Sequence, residues 1–207
     1  MKSRPAEWFA KQQRQWGDFF VEDIKIRDFV DAYFPRAGIS KVVIRKTAKE
    51  GELIIFSSKV GVLMGKQWTK IKEFEDALKK KFGKEIKVVI KEVKVPELSA
   101  KVMAEFIATQ LEARMPYRKV VKNVLQKVME KGASGIKVQV WWRLGGVDIS
   151  RTEKFIEGRV SLQTFRSDID YYYIQARTKY GMLGVKVRIE KWQLYASKQN
   201  AVKKISL

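Results

Sequence analysis

A strict alternation of apolar and polar positions between Ile136 and Trp142 constrains the fold of this chain most. Every second side chain there is apolar and those between are polar or aromatic, the period of a half-buried β-strand. Leu144-Gly145-Gly146 follows, and because glycine reaches positive φ without steric cost, we expect a tight turn and a return strand from Val147. The predicted hairpin carries cations that would form either a row for a phosphate backbone or a solvated strand face: Lys137, Arg143, Arg151 and Lys154.

The charge balance favours the first interpretation. The chain has 43 Lys and Arg against 23 Asp and Glu, a formal charge of +20, and is still 45% hydrophobic. A folded protein with this much uncompensated charge repels itself, and a polyanion relieves that repulsion. Nucleic acid is the expected partner. An anionic membrane is a weaker alternative, because it calls for a basic amphipathic helix or a lipid anchor, whereas the positive charge here runs through every segment.

The chain contains neither Cys nor His. This removes thiolate and imidazole catalysis and the usual zinc ligand sets, and no phosphate-binding glycine loop, nucleophile elbow or acidic metal cluster is visible. We therefore expect a protein that is not an enzyme and that uses no metal or cofactor. The first residues lack the apolar core of a signal peptide and no run of about 18 apolar residues occurs, which predicts a soluble, cytoplasmic protein.

The residue pattern predicts two domains that meet near Val95-Pro96-Glu97. An aromatic, basic arm (1–20), expected to dock on a partner, precedes a first domain (21–95), in which helical spacing begins at Val21 and two strands follow. Gly61-Val62-Leu63-Met64-Gly65 then leads into a second helix and a last strand. This order, with a glycine loop between helices, resembles the type II KH domain, which clamps single-stranded RNA with a G-x-x-G turn.

The glycine loop departs from the KH pattern, because the second clamp glycine is Trp68. This side chain either replaces backbone approach to phosphates by base stacking or packs on the helix behind it. We expect RNA contacts from the loop residues Gly65, Lys66, Gln67 and Trp68.

The second domain (96–191) is predicted to place two helices on a four-stranded antiparallel sheet, which gives an α+β fold. Apolar pairs recur every four residues in 102–111 and in 120–129, one buried face for each helix. Beside the second stripe, three cations fall within an arc of about 100° on the helix surface: Arg118, Lys119 and Lys122. A basic tail (192–207) follows and is expected to be ordered only against a partner.

Several further motifs occur in order along residues 20–191. They include V-P-E-L before a helix that starts at Ala100, the R-L-G-G turn from Arg143, E-G-R-V-x-L from Glu157, R-x-D-I-D-Y from Arg166 and T-x-Y-G-x-x-G-V-K-V from Thr178. In these motifs the chain resembles the third protein of the small ribosomal subunit (S-three) in its bacterial form. It is a divergent member, since Trp141-Trp142 stand where the family has small residues and Gln163 and Arg177 where it has histidines.

This resemblance implies a structural protein of the head of the small ribosomal subunit, lining the place where mRNA enters. It assigns mRNA contact to Arg118, Lys119 and Lys122, and ribosomal RNA contact to the basic hairpin and its flanks: Lys137, Arg143, Arg151, Lys154, Arg159 and Arg166. Implied partners are ribosomal RNA, mRNA, the tenth and fourteenth small-subunit proteins in the head, and the fourth and fifth at the entrance. Location would be on the ribosome, in the cytoplasm or an organellar matrix. The first alternative is a free-standing KH protein acting as an RNA chaperone or regulator outside the ribosome, and the second is an RNA-processing enzyme.

Overall fold

The chain folds into two units that divide between Pro96 and Glu97. The computed structural model describes residues 6–7, 15–35, 37–46, 51–65, 68–83 and 86–194. On each side of the division these residues form a compact unit with its own buried core.

The first unit has three helices and a four-stranded mixed sheet in the order β1-β2-β3-β4. β2 and β3 are antiparallel, whereas β1 pairs with β2 and β4 with β3 in parallel. The elements in chain order are β1 Ala6–Glu7, α1 Gln15–Tyr33, β2 Ile39–Lys46, β3 Gly51–Ser57, α2 Val60–Met64, α3 Thr69–Phe82 and β4 Ile86–Glu92. From α1 onward this is the order of the type II KH domain, which confirms the predicted fold.

Buried side chains from α1, α3 and the sheet form the core of this unit. Ile26 and Val30 of α1, Leu78 of α3, and Leu53 and Ile55 of β3 are fully buried. Their burial on both helices and on a central strand places α1 and α3 on one face of the sheet.

The N-terminal segment differs from expectation at one point. Helix α1 begins at Gln15, not Val21, because its first turns bury little and therefore show no apolar stripe: Trp16 and Phe20 are about half exposed. Ala6–Glu7 pairs with β2. The rest of the arm lies outside the described residues, and its docking on a partner stays a prediction.

The second unit packs two helices against one face of an antiparallel sheet in the order β6-β5-β8-β7. This architecture confirms the predicted α+β domain. Its elements are α4 Ala100–Glu112, α5 Tyr117–Glu130, β5 Gly135–Trp142, β6 Arg151–Gly158, β7 Ser167–Thr178 and β8 Gly181–Gln193. The helices cover the face that bears Ile136, Val138, Val187 and Ile189. The opposite face of the sheet, called the outer face below, carries the intervening residues.

Two turns of this unit differ from expectation. The return strand of the hairpin begins at Arg151 and not at Val147, because Leu144 is buried in a 3-10 turn and Ile149 stays 77% exposed. The sequence pattern predicts a longer connection, across 180–184, between the last two strands, whereas β7 and β8 join through Lys179 and Tyr180 alone. At its other end β8 runs on to Gln193, into the segment expected to be a tail. Residues 195–207 of that tail lie outside the described residues.

Candidate nucleic-acid interface

The loop from Gly65 to Trp68, called the KH loop below, begins in a conformation that only glycine adopts freely. Gly65 has φ 66° and ψ −169°, a region essentially closed to other residues. Its N–H donates to the carbonyl oxygen of Gly61 at 3.2 Å, which closes the short helix. The predicted contact residues Lys66 and Gln67 lie outside the described residues.

Trp68 occupies the left-handed region at the start of α3, with φ 63° and ψ 13°. A glycine takes this conformation without cost, whereas a residue with a Cβ does not. The side chain is 56% exposed, so α3 does not bury it. The structure therefore favours an indole that is open to solvent and to bases over one that is buried.

The cationic face of α5 is exposed along its length. Arg118, Lys119 and Lys122 are all exposed, on the side of the helix away from the buried stripe that runs from Val120 to Val128. Within the described parts of the chain, Lys119 and Lys122 form no ion pair. Their charges are therefore available to an external anion.

Arg118 is held by a small polar network. Its Nη2 lies 3.2 Å from Glu153 Oε1 on β6, its Nε donates to the hydroxyl of Tyr117 at 3.1 Å, and that hydroxyl donates to Glu153 at 2.9 Å. The hydrogen bonds with Glu153 and then Tyr117 raise the pKa of Arg118. The hydrogen bonds that Glu153 accepts, the stronger effect from Arg118 and the weaker from Tyr117, lower the pKa of its carboxyl group. Arg118 is thus a positioned cation, part of whose charge Glu153 balances.

The four hairpin cations do not form one row. Lys137 and Lys154 share the outer face, opposite Ile156 and Gln139 respectively. Arg151 points to the other side of β6, and Arg143 lies in the turn, where it donates to Val147 and Asp148 at 2.9 and 2.6 Å. Only part of the predicted set can therefore meet the same strand of nucleic acid.

Arg159 and Arg166 flank a loop that covers one end of the outer face. The buried carboxylate of Glu190 fixes this loop, accepting from the Ser161 N–H at 2.7 Å and the Ser167 hydroxyl at 3.0 Å. Both arginine side chains are exposed, and Arg166 Nε donates to Gln193 at 3.1 Å.

An open groove between α5 and β6 joins two of the predicted sets, because Lys122 and Lys154 both line it. Sequence reasoning also missed two cations on the outer face, Lys186 and Arg188 of β8. They lie opposite Gln139 and Lys137 on β5. The alternation of Val185, Val187 and Ile189 with these cations was the available signal. It indicates a strand with one polar face, but only the pairing of β8 with β5 shows that these cations join the hairpin cations.

Among the described residues, no group of three or more acidic, His or Cys side chains could hold a metal. In the same part of the chain, no helix is long and apolar enough to cross a membrane.

The two units define an RNA-binding class of protein, in which a KH module precedes a basic α+β unit. A family model described as a KH domain matches residues 25–98, and one described as ribosomal protein S3, C-terminal domain, matches residues 107–189.

Curated relatives identify the family. Small ribosomal subunit protein uS3 of Persephonella marina is 43% identical over 99% of this chain and 90% of the relative. The proteins of the same name from Bacillus cytotoxicus and Coxiella burnetii are 42% and 39% identical, each over 95% of this chain and over 89% and 86% of the relative. The chain belongs to the uS3 family of small-subunit ribosomal proteins, a structural family and not an enzymatic one.

Proposed function

We propose that this protein is a structural constituent of the head of the small ribosomal subunit, where it binds ribosomal RNA and lines the mRNA entrance. The observation that carries the second part is the exposed face of α5, on which Lys119 and Lys122 form no ion pair among the described residues and Arg118 is oriented by Glu153. Membership of the uS3 family supports the ribosomal setting.

The α5 face suits a moving strand of any sequence. Cations bind phosphate oxygens, which carry no base identity, so contacts of this kind hold a message without selecting among messages. Two flexible lysines follow a displaced phosphate, and the positioned guanidinium of Arg118 offers a planar donor set. Such a face can hold the downstream strand and disfavour its pairing.

The remaining cations fit contact with ribosomal RNA. Arg143, Arg151, Arg159 and Arg166 lie on turns and loop edges of the second unit, and Gly65 and Trp68 mark the KH loop. Head proteins, expected to be the tenth and fourteenth, and entrance proteins, expected to be the fourth and fifth, complete the proposed surroundings. The proposed location is on the ribosome in the cytoplasm or an organellar matrix.

The test compares translation of a message with a stable hairpin just downstream with that of an unstructured message. Ribosomes carry Lys119→Gln with Lys122→Gln, or the control Lys127→Gln with Lys131→Gln, which removes the same charge from the last turn of α5 and the residue that follows it. We expect the first pair to slow the hairpin message selectively and the control to have no such effect. Equal slowing on both messages would contradict the entrance role, and failure of the first pair to enter small subunits would assign the patch to ribosomal RNA.

A further inference from the structure

Four aromatic side chains line an open groove at one end of the outer sheet face. Trp141 and Trp142 end β5, Tyr173 lies on β7, and Tyr180 is in the turn before β8; together with Arg143 and Met182 they enclose about 490 Å³. Clefts of a few hundred Å³ hold small, flat ligands. A nucleobase with its ribose fits this size, whereas an RNA duplex does not.

The floor of the groove is a fixed aromatic stack. The ring of Trp141 lies over Gly184 of β8, where any Cβ would overlap it, and stacks on Tyr173 with centroids 5.5 Å apart and 12° between the planes. The Tyr173 hydroxyl accepts a hydrogen bond from Gln175 Nε2 at 2.7 Å. This platform is ordered before any ligand arrives, so little ordering entropy opposes stacking on it.

Trp142 is held in a strained conformation beside this floor. Its φ is 110°, an outlier for a bulky residue, and its indole approaches Gly181 so closely that a Cβ there would lie 2.9 Å from Nε1. The side chain nevertheless stays 44% exposed. Burial alone does not explain why the fold holds a large aromatic group there, and backbone strain of this kind clusters at ligand-binding sites.

The charge around the groove is positive. Lys186 Nζ lies 4.7 Å above the Trp141 ring, and Arg188 lies 5.3 Å above Tyr171. Lys137 and Arg188 are directly opposite each other on neighbouring strands, an unfavourable pair of like charges. Among the described strand positions on this face the only carboxylate is that of Glu190, which is fully buried. An anionic ligand would relieve this repulsion.

We propose that this groove binds unpaired RNA nucleotides, with a base stacked on the exposed indole of Trp142, beside the Trp141–Tyr173 stack, and phosphates on Lys186 and Arg188. The proposal rests on the proposed function as an RNA-binding protein and adds a site built from residues other than those of the KH loop and the α5 face. Aromatic platforms on a sheet and cations along the backbone are the combination that holds single strands. A protein partner would have to cover Lys186 beside the Trp141 ring, and lysine is depleted in protein interfaces.

The test measures binding of the full-length chain to a fluorescent uridine oligonucleotide across a range of salt concentrations. Trp142→Gly removes the indole and suits the positive φ, and Trp192→Ala, which removes an indole of similar exposure at the far end of β8, is the control. We expect Trp142→Gly to weaken binding about tenfold with an unchanged salt slope, since the phosphate contacts remain. The control should bind like the original chain.

RNA binding that is unchanged by Trp142→Gly would overturn the proposal that the groove binds RNA and would leave the proposed function intact. Absence of RNA binding by the original chain would overturn both. Ultraviolet crosslinking of the original chain in assembled small subunits provides a readout that does not depend on how a variant folds. Crosslinks from residues 141–142 to RNA are expected, and crosslinks to a neighbouring protein alone would overturn the groove.

Discussion

Two substitutions of Trp68 separate the effect of its backbone conformation on stability from the effect of its side-chain contacts. Trp68→Gly and Trp68→Ala remove the same indole, so both lose the same side-chain contacts. They differ because the site has φ 63°. A left-handed residue with a Cβ costs about 1–2 kcal/mol, and glycine loses about 0.5–1 kcal/mol more backbone entropy on folding. Trp68→Gly should therefore be the more stable of the two, by about 1 kcal/mol.

Urea unfolding of the full chain measures this difference as a shift in midpoint at constant slope. Lys72, exposed within α3, provides the matched control. At this helical position the order of stability should reverse, and Lys72→Ala should be more stable than Lys72→Gly by about 0.5–1 kcal/mol. A Trp68→Ala variant as stable as Trp68→Gly would refute the left-handed conformation. The same pair tests the loop's chemistry: if the indole stacks on bases, both variants bind single strands more weakly than the original chain, whereas a restored glycine clamp would make Trp68→Gly bind more tightly than Trp68→Ala.

Three further outcomes are expected. Binding of the isolated chain to unrelated RNAs should weaken steeply and similarly with salt, since phosphate contacts dominate; a shallow slope of log K against log salt concentration would contradict this. Because its pKa is lowered, Glu153 stabilises the fold above its ordinary value of 4.5, and this contribution is lost as pH falls through the lowered pKa. Glu153→Gln should therefore destabilise the protein at neutral pH and lose this effect in acid; a difference that persists in acid would exclude the ion network as its source. Gly184→Ala should cost about 1–3 kcal/mol through overlap with Trp141, whereas Gly17→Ala, with open space around it in α1, should gain about 0.5–1 kcal/mol. Thermal unfolding of the two variants measures both, and a stable Gly184→Ala would contradict the position of the Trp141 ring.

Elements with a long apolar period were predictable from sequence. The stripe from Val120 to Val128 places α5 correctly, and the alternation from Ile136 places β5, because a buried face imposes its period on the chain. The start of α1 was not predictable, since its first turns remain exposed. The return of the hairpin was missed because the burial of Leu144 within the turn leaves no local pattern.

The site was predictable where it depends on one element and not where it depends on register. The three cations of α5 follow from helical geometry alone. The ion pair that distinguishes Arg118 from the two lysines could not be predicted in this way, because its partner Glu153 lies 35 residues away in the chain. The stack of Trp141 on Tyr173 likewise requires β8 between their strands with Gly184 at the crossing point. Pairing of distant strands is a tertiary choice that local patterns leave open.

The proposed function places the α5 face beside incoming mRNA. The most direct measurement introduces a photo-crosslinking amino acid at Lys119 or at Lys122, and at Lys127 as the control, in small subunits that hold a message of defined register. Positions 119 and 122 are expected to crosslink to mRNA nucleotides downstream of the decoding site, and position 127 is not. Crosslinks from positions 119 and 122 to ribosomal RNA alone would contradict it.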